Sequence, residues 1–328
     1  MKTPNLFCIL LFLGVLPLNA QEQKTPENQL LALRQQMEQA TDIKLQRQLL
    51  GEMAKTGTFV AMTTLARSLD NKGLQRTAAR GIAAIALSHP DYDGTLTRHL
   101  LARTLPFVGG KQRKAIYTYL ANEPVEGFVS HFNGRDLTGW KGLVENPIAR
   151  SQMTAAQLAE QQVAADQRMR DDWKVEDGLL AYVGHGYDNI CTVEQYGDFE
   201  MLIDWRLDPK GKEPDAGIYL RGTPQVQIWD IARTDVGAEV GSGGLYNNQK
   251  NRSTPLVVAD NPLGEWNSFY IRMVGDRVTV RLNGILVVDN VPLENYWDRS
   301  IPIFPKEQIE LQAHGSKVYY RDIYIRRL

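Results

Sequence analysis

The chain has 328 residues, of which 43% are hydrophobic and 23% are charged, and its formal net charge is −1. This length is enough for two domains. The near balance of basic and acidic residues argues against a nucleic-acid partner, which would require a basic surface.

Residues 1–20 have the pattern of a cleaved secretory signal. Lys2 lies near the start, an apolar run extends from Leu6 to Leu18, and the small residue Ala20 ends the segment. A basic beginning, a short apolar middle and a small residue at the end are typical of such signals. The run is also short for a membrane-spanning helix. We therefore expect a periplasmic or secreted protein, with no lipid anchor and no transmembrane segment in the mature chain.

Removal of these 20 residues leaves 308, with 36 Lys and Arg against 38 Asp and Glu. Because Cys8 is removed with the signal, Cys191 is then the only cysteine, and an intramolecular disulfide is excluded. No neighbouring His or basic cluster in the sequence would lower the pKa of its thiol. We interpret Cys191 as a small packed residue and not as a nucleophile.

Residues 21–125 are predicted to be helical. Leucine and methionine residues from Leu30 to Leu69 recur mostly at three- and four-residue spacing, which is typical of amphipathic helices. Asp42 and Thr58 stand where helices would begin. About six short helices with many alanines indicate HEAT-like helix pairs, which bury their faces by stacking on one another. We predict a packing module or a surface for a protein partner.

Residues 126–328 are predicted to form a domain of short strands with a helical insertion at 151–171. The predicted strands are 173–183, 199–207, 217–221, 225–230, 266–274, 277–282, 285–289, 308–312 and 317–326. Asn283-Gly284 is a strong signal for a hairpin turn. Many short strands joined by hairpins predict an antiparallel sandwich or jelly roll. The predicted fold class is therefore α+β, with an all-α domain followed by an all-β jelly roll.

One polar sheet face stands out in segment 217–230, which alternates in polarity about a Gly222-Thr223-Pro224 break. Its polar positions are Tyr219, Arg221, Gln225, Gln227 and Trp229. These side chains combine flat apolar area with hydrogen-bonding groups, and both suit a sugar ring with its rim of hydroxyls. The alternative is a solvated sheet face without a ligand.

Other strands contribute similar polar faces. If Ile203 and Leu311 point into the core, their neighbours point to the other side. We predict that one carbohydrate-binding wall combines Asp204, Arg206, Tyr219, Arg221, Gln225, Gln227, Trp229, Gln312 and His314. The loop 241–250, which carries Tyr246, and the loop 293–299 are candidates for a mobile rim and a lid over this wall.

Six segments carry a recognisable combination of motifs: FNGRDLTGW (132–140), WKVEDG (173–178), GDFE (197–200), 217–230, GEWN (264–267) and LQAHG (311–315). Together they resemble the 3-keto-disaccharide hydrolases, formerly called domain of unknown function 1080, over about residues 127–328. The resemblance implies a concanavalin-like jelly roll. The longer subgroup of the family usually has Asn at the position of Ala313 and often has His at the position of Asp172, so the chain departs from the subgroup at both.

The resemblance also implies a reaction on a glucoside that has already been oxidised to a ketone at C3. The ketone acidifies the C2 proton, so that a base removes this proton and the aglycone leaves from C1. Addition of water then completes a net hydrolysis. One base, one acid and one group that stabilises the enolate suffice, whereas ordinary glycosidases need two carboxylates at the scissile bond.

His314 is the first candidate for proton transfer, because the ordinary pKa of histidine, about 6.5, suits transfer in either direction. The alternative is a structural His in the turn before Gly315. Asp204 is a second candidate for the base, or for the group that orients His314. Tyr246 is a candidate proton donor from its loop.

Arg206 and Arg221 would either hold the enolate oxygen or pair with Asp204 and Glu200. A divalent cation bound by Asp204, Glu200 or His314 is another candidate stabiliser, although no dense ligand motif demands it. A second class of function is also open, namely a carbohydrate-binding module without turnover, since sandwich folds host lectins as readily as enzymes.

Overall fold

The computed structural model describes residues 25–184 and 186–328, so the predicted signal at residues 1–20 lies outside the described part. The first half of the fold is helical: α1 (Pro26–Gln39), α2 (Ile43–Lys55), α3 (Phe59–Ala66), α4 (Gln75–Ser88), α5 (Thr95–Thr104) and α6 (Gly110–Leu120). In the described ranges, no helix is both long and apolar enough to cross a membrane.

The helix starts follow from side-chain capping. Asp42 and Thr58 accept hydrogen bonds from the backbone N–H groups of Leu45 and Ala61, which confirms both as N-caps. The small residues serve close helix packing, because a β carbon on Gly81 of α4 would lie only 2.8 Å from Leu65 Cδ1. The six helices confirm the all-α region, whereas their HEAT-like arrangement stays a prediction.

The second half contains two further helices, α7 (Pro147–Ser151) and α8 (Ala155–Asp172), and thirteen described strands. The strands are β1 (Val129–Ser130), β2 (Trp140–Gly142), β3 (Trp173–Glu176), β4 (Leu179–Tyr182), β5 (Ile190–Thr192), β6 (Phe199–Leu207), β7 (Asp215–Leu220), β8 (Thr223–Trp229), β9 (Asn267–Val274), β10 (Arg277–Leu282), β11 (Ile285–Pro292), β12 (Glu310–Leu311) and β13 (Val318–Arg327).

The strands form two antiparallel sheets. The eight-stranded sheet has the order β11-β10-β9-β6-β13-β4-β3, with β1 also paired to β13, and the five-stranded sheet has the order β2-β5-β12-β7-β8. A large cluster of buried apolar side chains, such as Trp205, Phe269, Ile218 and Leu311, holds the two sheets together. The predicted jelly-roll sandwich is therefore confirmed.

Two turns determine local strand boundaries. The predicted strand 173–183 is wrong, because it is a hairpin of β3 and β4 around Asp177 and Gly178, which both have positive φ (49° and 78°). Asn283 and Gly284 also have positive φ and form the predicted hairpin turn between β10 and β11. Both turns use residue types that tolerate the left-handed region.

The helical region packs on the outer face of the eight-stranded sheet. Phe59 of α3 lies against Phe128 and Tyr324, with ring centroids 4.9 and 5.3 Å apart. Beside this apolar contact is a group of charges, which we call the junction cluster: Arg34, Arg67, Asp204, Arg321 and Asp322, all of them buried except Arg67.

Arg34 of α1 is the centre of the junction cluster. Its guanidinium lies 3.0 Å from Asp204 Oδ2 and 2.7 Å from Asp322 Oδ2, and all three side chains are almost fully buried. Arg67 adds a contact of 2.6 Å to Asp322 Oδ1. Burial by itself would raise the pKa of Asp322, but Arg34, Arg67 and Arg321 lower this pKa to about 2. Burial raises the pKa of Asp204, against the opposing effects of Arg34 and Arg321. Through these paired groups the cluster joins the helical region to the sheet.

Candidate active site

The outer face of the five-stranded sheet carries a grid of side chains on β12, β7 and β8. Glu310 is paired with Tyr219, Gly217 with Gln227, and Asp215 with Trp229. The backbone N–H of Gln312 donates to the carbonyl of Gly217, 2.9 Å away. Alternate residues share a face, so three rows result: Glu310, Tyr219 and Gln225; Gln312, Gly217 and Gln227; and His314, Asp215 and Trp229. We call this the polar face.

The polar face brings together six residues that the sequence placed on one wall. They are Tyr219, Gln225, Gln227, Trp229, Gln312 and His314. The remaining positions, Asp215, Gly217 and Glu310, were not among the predicted site residues. Most of the polar face is tightly packed, and Gln225, Gln227 and Asp215 are buried.

Gly217 occupies the centre of the grid and leaves room for the amide side chains around it. A β carbon there would lie 2.9 Å from both Gln225 Cδ and Gln312 Oε1. The Gln225 amide donates to Gln227 Oε1, and Gln227 Nε2 donates to Asp215 Oδ1 at 2.7 Å. Gln312 Oε1 is buried with no hydrogen-bond partner among the residues that the structure describes. An unpaired acceptor of this kind favours a ligand that donates a hydrogen bond.

His314 and Asp215 form the row with acid–base chemistry. His314 Nδ1 lies 3.8 Å from Asp215 Oδ2 and has no hydrogen-bond partner within residues 25–184 and 186–328, while 31% of the side chain is exposed. The ring of Tyr187 meets the imidazole edge-on, with centroids 5.5 Å apart. Burial raises the pKa of Asp215 to about 6, against the opposing effects of His314 and Gln227. An imidazole and a carboxyl that titrates near neutral pH therefore stand side by side.

Trp229 and Tyr246 border the same row. Their rings meet edge to face, with centroids 5.4 Å apart, and 51% of Tyr246 is exposed. The loop of Tyr246 is attached to β8, because Gln227 N donates to Gly244 O and Gly243 N donates to Gln227 O. Tyr246 therefore lies at the edge of the polar face, beside Trp229.

Glu310 lies at the opposite end of the grid. Period-2 alternation placed it on the polar side of β12, and the structure shows that it is buried. Asn189 connects this end to the His314 segment. Its Nδ2 lies 3.5 Å from Glu310 Oε2, and its Oδ1 accepts a hydrogen bond of 3.0 Å from Ala313 N. Burial raises the pKa of Glu310 to about 7, although Arg150 and Asn189 oppose the shift.

This pKa predicts a pH-dependent stability. Because the folded-state pKa of about 7 exceeds the ordinary 4.5, folding favours the protonated carboxyl, and stability falls as pH rises from about 4.5 to 7. Above pH 7 the ionised carboxylate costs about 3 kcal/mol. We expect Glu310→Gln to be more stable than the wild type at pH 8 by about this amount, and equally stable at pH 4.5. Urea unfolding at both pH values measures the difference, with Glu126→Gln at an exposed position as the control. An unchanged difference across this range would contradict the prediction.

Asp204 and Arg206 do not lie on the polar face, contrary to the predicted wall. Both are on β6 of the other sheet, where Asp204 contacts Arg34 and Arg321. The Arg206 guanidinium stacks over the rings of Trp266 and Tyr319, each with a centroid 4.8 Å away. Alternation within a strand identifies the polar side correctly, but the two sheets have their polar sides on opposite exteriors of the sandwich.

Arg221 is also absent from the polar face. A bulge between Ile218 and Leu220 and a positive φ of 50° at Arg221 end the alternation. The guanidinium instead lies 3.1 Å from Asp198 Oδ1 and donates to the carbonyl groups of Phe304, Pro305 and Gly275. It therefore ties loops together at the end of the sandwich.

The residues considered as ligands of a divalent cation are far apart in the fold. Glu200 binds Arg272 and Arg326, Asp204 binds arginines of the junction cluster, and His314 lies on the other sheet. Across residues 25–184 and 186–328, no three His, Cys, Asp or Glu side chains are arranged to hold a metal ion. The proposed ligand set therefore does not fit a cation site.

Sequence reasoning missed Asp215 although a signal was present. Asp215, Gly217 and Tyr219 share one face by period-2 alternation, but the predicted strand began at Gly217. Asn189 had no comparable signal, because it precedes β5 and approaches Glu310 only through the pairing of β5 with β12. Cys191, predicted to be a packed residue, is buried, and burial raises the pKa of its thiol to about 12.

The family match places the chain in a carbohydrate-active class of protein. Residues 127–326 match the family described as 3-keto-alpha-glucoside-1,2-lyase-like domain. The match covers more than half of the chain, so the chain belongs to this family.

Several solved structures are similar to the chain. One candidate glycosyl hydrolase from Parabacteroides distasonis is 24% identical, with 62% of this chain and 94% of that chain covered and a TM-score of 0.45. A second one from the same organism is 23% identical, with 48% and 91% covered and a TM-score of 0.39. The carbohydrate binding module CBM66 from Bacillus subtilis is 12% identical, with 58% and 96% covered and a TM-score of 0.34. No curated protein matches the chain.

Proposed function

We propose that the protein is an exported enzyme that cleaves 3-keto-glucosides by elimination and hydration. One observation carries the proposal: the imidazole of His314 and the titratable carboxyl of Asp215 meet beside converging amide groups on the polar face. Membership of the 3-keto-alpha-glucoside-1,2-lyase-like family supports the choice of substrate. Export rests on the signal pattern of residues 1–20.

The C2 proton passes to His314, which takes the role of base. Asp215 lies beside Nδ1 and favours the tautomer that leaves Nε2 free for the substrate. The electron pair of the C2–H bond forms the C1–C2 double bond, and the C1–oxygen bond breaks. The aglycone oxygen takes a proton and leaves as an alcohol, and water then adds across the double bond.

The amides above Gly217 would hold the ring. Gln225 Nε2 has a second N–H for the enolate oxygen, and Gln312 Oε1 is free to accept from a sugar hydroxyl. Tyr246 offers exposed aromatic surface beside the His314 row, where its ring packs on the buried Trp229. Tyr246, a candidate proton donor from its loop, stands with its exposed ring at the edge of this row and supplies the proton that the aglycone oxygen takes.

Purified protein incubated with a 3-keto-glucoside and with the parent glucoside tests the proposal. We expect aglycone release from the keto compound only, because only its C2 proton is acidic enough to be removed. Release from neither compound, together with binding of sugars, would favour a carbohydrate-binding module without turnover.

Asp215 predicts the pH dependence of this reaction. The carboxylate form, which stabilises protonated His314, exists above the pKa of about 6 and is lost as pH falls through this value. We expect kcat/KM to be about tenfold lower at pH 5 than at pH 7, and we expect Asp215→Asn to be slow at both. Initial rates from pH 5 to 8 measure the profile, and the exposed Asp235→Asn is the matched control. An unaltered profile in Asp215→Asn would show that another group determines it.

A further inference from the structure

Two loops flank the polar face at the outer edge of β8, and we call them the rim loops: residues 241–251 with Tyr246, and residues 293–299 with Tyr296. Both tyrosines are substantially exposed, at 51% and 43%. The first loop is attached to β8 through Gln227, as described above. The second loop is attached to the turn between β7 and β8, because Trp297 Nε1 donates to the carbonyl of Gly222 at 2.7 Å.

A single carboxylate joins the two rim loops. Glu294 accepts hydrogen bonds from Gln249 N (2.9 Å), Lys250 N (2.7 Å), Asn251 N (2.7 Å), Asn251 Nδ2 (3.0 Å) and Arg299 Nη1 (2.8 Å). Burial alone would raise the pKa of Glu294, but the three backbone N–H groups hold it below its ordinary value. The carboxylate is therefore ionised at neutral pH, and charge-assisted hydrogen bonds of this kind are the strong ones.

Other contacts run between the same two segments. The backbone N–H of Glu294 donates to Asn248 Oδ1 at 3.0 Å, and Asn248 Nδ2 donates to the carbonyl of Pro292 at 2.8 Å. Arg299 Nη2 donates to the carbonyl of Asn247 at 2.7 Å. The stretch from 247 to 251 is thus bound along its length to the stretch around Glu294.

We propose that Glu294 is a positioning residue that locks the two rim loops into one unit, so that Tyr246 and Tyr296 are held together beside the substrate. The lock itself does not depend on the proposed function, whereas its effect on substrate affinity does. A loop that is ordered before binding loses less conformational entropy when the ligand arrives. His314 follows β12 and Asp215 lies on β7, and the lock contacts neither segment. The loss of Glu294 therefore affects the chemical step only through Tyr246 and acts mainly on binding.

Hydrogen exchange of the ligand-free protein tests the lock. In Glu294→Ala we expect the amides of residues 249–251 and of 295–299 to exchange about 10- to 100-fold faster. Residues 249–251 lose a charged acceptor, and residues 295–299 lose the neighbour that anchors their loop. The amides of β7 and β8 should be unchanged. Glu126→Ala, an exposed acidic residue in the connection before β1, is the matched control. If 249–251 accelerates and 295–299 stays at the wild-type rate, the loops are independent and the proposal is overturned.

The charge of Glu294 is tested separately. Glu294→Gln retains one acceptor oxygen and the side-chain shape, so it should give the same pattern with a smaller change. It also decides the question if Glu294→Ala does not fold. A rate equal to the wild type in both segments would show that the carboxylate does not hold the loops.

Turnover of a 3-keto-glucoside provides the functional readout. We expect KM to rise about tenfold in Glu294→Ala, since pre-ordering lowers the cost of binding, and kcat to fall by a smaller factor because Tyr246 is less well positioned. A fall in kcat at unchanged KM would overturn the positioning role. If the wild-type protein does not turn over any 3-keto-glucoside, the proposed function fails, and hydrogen exchange still decides whether Glu294 locks the loops.

Discussion

Replacing His314 with Ala is expected to lower kcat for a 3-keto-glucoside by about 10²- to 10⁴-fold, the range typical of a lost general base. The imidazole is the exposed proton-transfer group of the His314 row, and its neighbour Asp215 is buried beneath it. Because Nδ1 has no hydrogen-bond partner in the described part of the chain, truncation of His314 removes little that stabilises the fold. The expected result is therefore a large loss of rate with an almost unchanged free energy of unfolding.

A matched variant separates this effect from a general loss of histidine. His99 lies exposed on α5, in the helical region on the other side of the sandwich, and His99→Ala should turn over substrate at the wild-type rate. Single-turnover rates and urea unfolding of both variants give the comparison. Equal rates for His314→Ala and the wild type would show that His314 is not the catalytic base. The hydrolase proposal would then require another residue of the polar face as the base.

Replacing Arg34 with Ala is expected to destabilise the protein by about 3–5 kcal/mol, because it removes one of the two arginines, Arg34 and Arg321, that contact both buried carboxylates of the junction cluster. The loss should also uncouple the helical region from the sheet. All six tryptophans lie in the second half of the chain, after residue 126. Tryptophan fluorescence therefore follows the jelly roll, while circular dichroism at helical wavelengths follows mainly the helices. We expect the two unfolding transitions to coincide in the wild type and to separate in the variant.

The control for this experiment is Arg76→Ala on the exposed side of α4, which should change stability by no more than about 0.5 kcal/mol. Combining Arg34→Met with Asp204→Asn removes a buried carboxylate that has lost one of its two arginine partners, and should recover part of the loss. A single coincident transition in Arg34→Ala, with wild-type stability, would show that the junction cluster does not join the two halves.

The position of the junction cluster explains why the predicted wall was only partly found. Period-2 alternation placed Asp204 on the side of β6 opposite Ile203, and the structure agrees. That side faces the helical region, where Arg34 neutralises Asp204. Arg34 is 170 positions away from Asp204 in the sequence, so no local sequence pattern predicts this pair.

Arg221 and Glu310 show a second kind of limit. Arg221 continues the alternation in the sequence, but the bulge after Ile218 turns its side chain toward the loops. Glu310 has the polar side that alternation predicts, yet neighbouring side chains bury it and raise its pKa. Both outcomes depend on backbone irregularity and on packing from other strands.

The sequence by itself determined the order of helices and strands, the jelly-roll class, the resemblance over the second half of the chain and six side chains of the polar face. These follow from periodicity, turn residues and motifs, which are properties of neighbouring residues. Only the tertiary structure decided that Asp215, and not Asp204, stands beside His314, and that Glu294 joins the rim loops. Strand register, sheet assignment and burial decide such contacts, because they bring together charges and hydrogen-bonding groups that are distant along the chain.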